Sequence, residues 1–234
     1  MIGKNKGTVS DAAGLFFLEL DRENVHDSIQ FSSIGYSPKT FMVEHFLRNN
    51  LPFHEIALNS EYDSLKEVIV TPKQWRTRTL GNTSRSKFVS GGFSSNDLGA
   101  EAGTRIKMNK APSYLDKISF HISYNKLDSI KVRLNNYAMK NGKPAENILP
   151  ENIIVTLGNK QTGNIEIDLS KFDLVLADDI LVALQMIEGR GDFRSSVFVS
   201  AAFLGPPIYY REASHAKWKV YKGLSIGINA TVRQ

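Results

Sequence analysis

The sequence predicts an all-β protein in which a small β-sandwich is followed by a larger, jelly-roll-like β-sandwich. Its dominant hydrophobic period is two, and in 116–124 the apolar side chains share one face: Ile118, Phe120, Ile122 and Tyr124. The other face of the same segment is polar: Lys117, Ser119, His121 and Ser123. Such alternation is typical of antiparallel strands with one buried and one solvated face. Turn signals, such as Asn-Gly at 141–142 and Gly-Pro-Pro at 205–207, separate these segments.

The second half of the chain carries most of these strand signals. Alternation recurs in 130–135, 164–169 and 224–233, and the more apolar runs at 174–187 and 196–204 predict central strands of a packed sheet. Composition also allows a short helix over 174–187, but Asp178 and Asp179 favour a turn or bulge between two strand segments. About eight or nine strands after residue 85 would suit a jelly roll or a close variant.

The first part of the chain predicts short strands with tight turns, over 14–20, 27–36, 37–44, 53–59 and 65–72. A polar, basic stretch without sustained period follows, which is typical of a linker. We therefore expect a first module at 1–72, a linker at 73–85 and a second module at 86–234.

Composition excludes several kinds of site. The chain of 234 residues has no cysteine, which rules out disulfides, thiolate metal sites and a cysteine nucleophile. It also lacks a run of about 18 apolar residues, so no membrane span is predicted. Residues 1–75 carry 7 Lys/Arg and 10 Asp/Glu, whereas residues 76–234 carry 22 and 14. The basic residues are scattered, except for a cluster in the predicted linker: Lys73, Arg76, Arg78, Arg85 and Lys87. Solvated surface charge explains them best and no nucleic-acid partner is expected; the alternative is a partner site.

Three ordered blocks in the first module resemble the carboxypeptidase regulatory-like domain, a prealbumin-like Greek-key sandwich common in Bacteroidetes envelope proteins. They are GTVSDAAGLFFLEL at 7–20, DSIQFSSIGYSPKT at 27–40 and IALNSEYDSLKEVIV at 56–70. The resemblance implies an extracytoplasmic protein, in the periplasm, in the outer membrane or secreted. The family's opening strand and the signal peptide before it are missing here. We therefore expect a truncated module whose open sheet edge invites dimerisation.

The whole chain also resembles a group of two-part Bacteroidetes proteins whose second sandwich carries three shared elements. Here they are Arg133-Leu134-Asn135-Asn136-Tyr137, the segment 144–149, and Tyr209-Tyr210-Arg211 with Ser214 and Trp218. This resemblance implies architecture and compartment, and little chemistry.

The motifs of common enzymes do not occur in this sequence. The five histidines, at 26, 45, 54, 121 and 215, have no metal-binding spacing, and neither a Gly-x-Ser-x-Gly motif nor a phosphate-binding loop is present. The sequence therefore predicts no catalytic residue, no metal site and no cofactor. One alternative is a calcium site that uses Asp178, Asp179 or Asp192, although turn carboxylates are more often simply solvated.

The best candidate for a ligand site is the set Tyr209, Tyr210, Arg211 and Trp218. Flat aromatic rings beside a guanidinium suit stacking on sugar rings or holding an acidic group. The alternative is that one tyrosine and Trp218 fill the core while Arg211 bonds locally. We expect a non-catalytic cell-envelope protein that binds a glycan, a peptide or an envelope partner. A structural adaptor without a small ligand is the alternative.

Overall fold

The computed structural model describes residues 1–2, 4, 6–11, 13–48, 55–61, 75–109, 111–192 and 195–234. It is an all-β fold, as predicted, with 51% strand and 6% helix. Within these described residues, buried apolar side chains form two separate clusters, one before residue 48 and one from Leu80 onward. Among the described residues no helix is long and apolar enough to cross a bilayer.

The first module contains short strands and one helix. They are β1 (Ser28–Phe31), β2 (Tyr36–Ser37), β3 (Lys39–Met42), α1 (Val43–Arg48) and β4 (Asn59–Ser60). β1 pairs antiparallel with β3, and β2 with β4. The rings of Phe31, Phe41 and Phe46 meet edge to face over buried Ile29 and Val43. These edge contacts are the favoured geometry for packed aromatic rings and help to close a small core.

Two of the strands predicted for this module differ from the structure. Residues 14–20 do not form the predicted strand and lie outside regular secondary structure. Leu15 and Phe17 of this segment are exposed rather than packed in a core. The strand predicted at 37–44 is shorter, because the chain turns into α1 at Val43. The strand predicted at 65–72 and residues 53 and 54 of another lie outside the described residues.

The second module contains the remaining strands of the described chain. In chain order they are β5 (Thr77–Gly81), β6 (Ser90–Ser94), β7 (Glu101–Ile106), β8 (Ser113–Asn125), β9 (Ser129–Lys140), β10 (Lys143–Asn147), β11 (Ile153–Leu157), β12 (Gly163–Asp168), β13 (Val175–Leu176), β14 (Ile180–Arg190), β15 (Ser196–Phe203), β16 (Ile208–Arg211), β17 (Lys219–Tyr221), β18 (Leu224–Ile226) and β19 (Ile228–Arg233). Single turns of 3-10 helix occur at Arg22–Asn24 and Ser170–Phe172.

These strands form two antiparallel sheets that share one core. Sheet 1 has the order β10-β9-β14-β7-β16-β17, with β11 also on β9. Sheet 2 has the order β18-β15-β8-β19-β5, with β12 and β13 also on β8 and β6 on β15. One cluster of buried residues includes side chains of both sheets, for example Leu134 and Leu184 of sheet 1 and Phe120 of sheet 2. Sheets that bury their inner faces against each other in this way form a β-sandwich.

The predicted alternation positions the core of this sandwich. Ile118, Phe120 and Ile122 are buried, and the polar residues between them lie on the opposite face. Tyr124 departs from the pattern and is exposed beside Phe198, because β8 bulges where Ile122 and Tyr124 pair with adjacent residues of β15. The turn expected at Asp178 and Asp179 also occurs, since β13 ends before it and β14 begins after it.

One segment of the predicted linker belongs to the second sandwich. Thr77–Gly81 form strand β5, which pairs with β19 from Asn229 to Arg233. The polar composition suggested a linker because only Leu80 of this edge strand is buried. The two modules also touch directly, since Ser32 Oγ and His215 Nε2 lie 2.8 Å apart.

Two neighbouring asparagines of β9 provide a matched test of the core. Asn136 is fully buried, and among the described residues neither its side-chain oxygen nor its side-chain nitrogen has a hydrogen-bond partner, whereas Asn135 accepts a bond of 3.0 Å from Asn147. We expect Asn136→Leu to raise the free energy of unfolding by about 1 kcal/mol, because an unpaired buried amide is costly. Asn135→Leu, the control, should lower it by about 2 kcal/mol. Urea unfolding measures both free energies. If Asn136→Leu does not stabilise the protein, the result contradicts the view that the Asn136 amide is buried without a partner.

Candidate functional site

The aromatic pair predicted as ligand contacts is divided between two faces of sheet 1. Tyr209 and Tyr210 are adjacent on β16 and point to opposite sides, as residues of a strand must. Tyr210 packs against the shared core, and its ring lies 6.4 Å from that of Tyr221. Tyr209 lies on the outer face, where its ring centre is 6.5 Å from that of Trp218. The structure therefore brings Tyr209, Arg211 and Trp218 together and separates Tyr210 from them.

On this outer face, Arg211 forms an ion pair with a carboxylate of another strand, Glu101 of β7. Its Nη2 donates to Glu101 Oε1 over 2.6 Å and to the Tyr137 hydroxyl over 2.7 Å. The Glu101 side chain is only 1% exposed and that of Arg211 only 11%. The charge of Arg211 is thus already balanced by an internal partner, which leaves little for an external anion.

Tyr137 and Trp218 close the arrangement. The Tyr137 hydroxyl donates to Glu101 Oε2 over 2.9 Å. Burial is the main cause that raises the pKa of Tyr137 far above its ordinary value, and the negative charge of Glu101 raises it further. The phenol therefore stays protonated. The Arg211 guanidinium lies 4.5 Å from the centre of the Trp218 ring, a cation–π contact that also shields the charge pair from water.

A polar row crosses the strands of sheet 1 at this level. Strand pairing aligns Arg133, Gln185, Glu101 and Arg211, and Gln185 Nε2 donates to Ser214 Oγ over 2.7 Å. These contacts join two of the sequence elements on which the whole-chain resemblance rests, 133–137 and 209–211 with Ser214. Their arrangement fastens β16 to β7 and β9, so we assign it a structural role. The motif suggested a ligand site because Glu101, the partner of Arg211, lies 110 positions away in sequence.

The candidate calcium ligands do not meet. Asp179 precedes β14 and Asp192 follows it, so roughly 30 Å of extended strand separates them. Asp179 is instead held by Arg105, whose Nη2 lies 2.5 Å from its Oδ2. Within the described part of the chain, no group of three or more His, Cys, Asp or Glu side chains is placed to hold a metal ion.

The outer face of sheet 2 carries a polar groove that encloses about 210 Å³. Its floor is a grid of side chains from four paired strands: Glu166, Ser119 and Asn229 in one row, Lys117, Thr231 and Thr79 in the next, and Asn164 beside His121 in a third. Grid points lie roughly 4.8 Å apart across strands and about 6.6 Å apart along them. Among the described residues that line the groove, none is phenylalanine, tyrosine or tryptophan. The floor therefore offers hydrogen bonds and charge rather than an apolar surface.

One wall of the groove is the loop at 82–86, which internal hydrogen bonds hold in place. Asn82 Nδ2 donates to the carbonyl oxygen of Ser225 over 2.7 Å, and Ser84 Oγ donates to that of Ala201 over 2.8 Å. This fixed loop presents the exposed Arg85 side chain at the groove.

His121 lies in the groove as a neutral acceptor. The Ser200 hydroxyl donates to the Ser86 carbonyl oxygen, so the 2.8 Å contact between His121 Nδ1 and Ser200 Oγ requires a proton on Nδ1. In the neutral ring Nε2 is then left as an acceptor. Burial lowers the pKa of His121 below its ordinary value, and Arg85 and Lys87 lower it further.

Lys117 and Glu166 form an ion pair across the floor. Lys117 Nζ lies 2.7 Å from Glu166 Oε2, and this hydrogen bond raises the pKa of Lys117 and lowers that of Glu166. Both charges therefore persist at neutral pH and remain open to solvent. With Arg85 added and His121 neutral, the groove carries one excess positive charge.

Of the described residues of this groove, only Arg85 belongs to a group for which the sequence left a partner site as an alternative. Lys117, Ser119 and His121 were predicted to form the solvated face of a strand, and the structure places them there. The available signal was an outer face rich in hydrogen-bonding groups on several segments, but sequence alone does not show which segments are neighbours.

Comparison with known proteins adds little to this geometry. No protein-family model matches the chain, and no curated protein matches it. Among solved structures, the cysteine protease and lectin-like domains of Cwp84, a surface layer associated protein of Clostridium difficile, match over 68% of this chain and 36% of theirs, at 11% identity and a TM-score of 0.47. Clostridial Cwp84 after propeptide cleavage matches over 76% of this chain and 45% of its own, at 12% identity and a TM-score of 0.47. The chain thus spans less than half the length of these proteins. The resemblance to the carboxypeptidase regulatory-like domain stays a prediction.

Proposed function

We propose that this chain is a non-catalytic binding protein of the cell envelope and that the polar groove of sheet 2 binds a glycan. The observation that carries the proposal is the composition of the groove, whose floor and wall present hydroxyl, amide, imidazole and charged groups on regular strands. The envelope location is part of the same proposal and rests on the resemblance of the first module.

The chemistry of the groove fits a polyhydroxylated ligand. A sugar presents alternating donors and acceptors, and the grid supplies both: Lys117 and Asn229 donate, while Glu166 and His121 Nε2 accept. An apolar ligand would leave these polar groups unpaired, at a cost of about 1–3 kcal/mol for each buried group. The mixed charge of Lys117, Glu166 and Arg85 is also unsuited to a nucleic-acid backbone, which requires an extended basic surface.

The same composition implies weak binding by one groove. Each hydrogen bond to a sugar replaces one to water and contributes about 0.5–1.5 kcal/mol net. Because the described residues of the groove include no phenylalanine, tyrosine or tryptophan, stacking on a large apolar ring adds nothing to this sum. We therefore expect detection to need multivalent display of the ligand.

Glu166→Ala is the variant that tests the groove. It removes an acceptor on the floor, and we expect it to weaken glycan binding about tenfold, because hydrogen bonds to charged groups contribute about 1.5–3 kcal/mol. Glu151→Ala is the matched control, since Glu151 also forms a half-exposed ion pair with a lysine, Lys171, at 2.9 Å. Binding is measured with the full chain on a glycan array.

The two variants separate the competing functions. Loss of binding with Glu166→Ala alone supports the groove, whereas equal loss with both variants contradicts it. If the full chain binds no glycan on the array and instead self-associates or captures a peptide, the adaptor function replaces this proposal.

A further inference from the structure

Three large apolar side chains project into solvent at one end of sheet 2. Phe88 is 99% exposed, Phe203 68% and Leu204 91%. We refer to these three residues as the apolar tip. Single exposed apolar residues are common on soluble proteins, but a group of fully exposed large ones marks an interaction surface.

Strand pairing brings the tip residues to the same end of β15. Val89, next to Phe88, accepts a backbone hydrogen bond of 2.7 Å from Ala201, while Leu204 donates one of 3.2 Å to Gly223. The loop that carries Phe88, the end of β15 and the turn at 222–223 are therefore neighbours.

The backbone beneath the tip is held rigidly. Ser200 Oγ donates to the Ser86 carbonyl oxygen over 2.7 Å, and Ser86 Oγ accepts from the backbone amides of Phe88 at 3.2 Å and Val89 at 3.1 Å. These bonds fix the loop while the Phe88 ring stays in water. A preorganised exposed ring loses little conformational entropy when it is buried by a partner.

The charges around the tip have one sign. Lys87 and Lys222 are exposed, and neither of them forms an ion pair with the described residues. The segments 84–89, 201–207 and 221–225 contain no aspartate or glutamate. An apolar group ringed by unpaired cations complements a surface that is negative outside and apolar beneath.

We propose that the apolar tip docks the second module onto an anionic lipid surface. Phe88, Phe203 and Leu204 insert among the acyl chains near the headgroups, while Lys87 and Lys222 lie at the level of the phosphates. Apolar insertion and cation attraction are each weak alone, and together they give reversible surface binding. This surface is distinct from the polar groove and does not depend on a glycan.

Vesicle co-sedimentation of the full chain tests the proposal, with POPC vesicles and with POPC vesicles that contain POPG. We expect binding to the POPG vesicles that decreases with added salt, and little binding to POPC alone. The double variant Phe88→Ser/Leu204→Ser should reduce the partition coefficient at least about tenfold. Leu15→Ser/Phe17→Ser is the matched control, because both of its residues are exposed and lie in the first module; it should bind as the wild type does.

Equal binding to both kinds of vesicle, or equal loss in both double variants, would overturn the proposal. Light scattering provides the other decisive readout. If the chain self-associates and Phe88→Ser/Leu204→Ser alone abolishes association, without a change in vesicle binding, the tip is a protein contact. Melting temperatures close to that of the wild type show that both variants fold, as expected for exposed positions.

Discussion

Replacing Arg211 with methionine is expected to lower the free energy of unfolding by about 3–5 kcal/mol, because it leaves the Glu101 carboxylate buried without its counterion. Glu101 is held by two bonds from Arg211, at 2.6 and 3.1 Å, and by the Tyr137 hydroxyl. Methionine keeps an unbranched apolar stem and removes all of the donors of the side chain. Urea denaturation followed by circular dichroism measures the loss.

Two further variants make this result specific. Arg190→Met removes another arginine–glutamate pair, with Glu188 at 3.0 Å, but the Arg190 side chain is 76% exposed and the loss should stay below about 1 kcal/mol. The double variant Glu101→Gln/Arg211→Met should recover part of the stability, because no charge is then stranded. A loss with Arg211→Met no larger than with Arg190→Met would show that the buried pair does not fasten β16.

Gly92→Ala is expected to lower the free energy of unfolding by about 3 kcal/mol, because an added methyl group has no space. A Cβ atom at Gly92 would lie 1.9 Å from the carbonyl oxygen of Val197 and 2.8 Å from the Cα atom of Phe198. Both are backbone atoms of β15, so the two strands would have to separate. Glycine within a strand often marks such a close backbone approach.

Gly91, the preceding residue on β6, is the internal control. A Cβ atom there would meet no atom of the described residues within 4 Å, and its backbone is not in the left-handed region. Gly91→Ala should therefore be neutral or stabilise the chain by up to about 1 kcal/mol through the unfolded state. Equal destabilisation by both substitutions, measured by thermal unfolding, would contradict the close approach of β6 and β15.

The all-β fold could be predicted because alternation acts locally. A strand of the sandwich places apolar residues on one face. The alternation of Ile118, Phe120 and Ile122 shows this face in the sequence of one strand alone, before its neighbours are known. Edge strands carry less of this signal. Of the five residues of β5 only Leu80 is buried, so its segment resembled a linker.

Which residues meet across a sheet could not be predicted in the same way. The role of Arg211 depends on Glu101, and the groove depends on Lys117, Glu166 and Thr231 becoming neighbours through strand order. Strand order is set by packing and by connections between distant segments, and neither leaves a local pattern in sequence. Residue types alone therefore favoured Tyr209, Arg211 and Trp218, which the structure packs together beside the buried Glu101 carboxylate.

An amide NMR titration of the full chain, with the strongest glycan from the array, tests the central claim most directly. The groove predicts that shift changes concentrate at the amides of Lys117, Ser119 and Thr231 and at the His121 ring. The indole signal of Trp218, one of only two tryptophans, should stay unchanged because that ring is packed against Arg211 in the sheet 1 network. Shifts of the Trp218 indole and the Arg211 side chain, with no change on the face of sheet 2, would contradict the account.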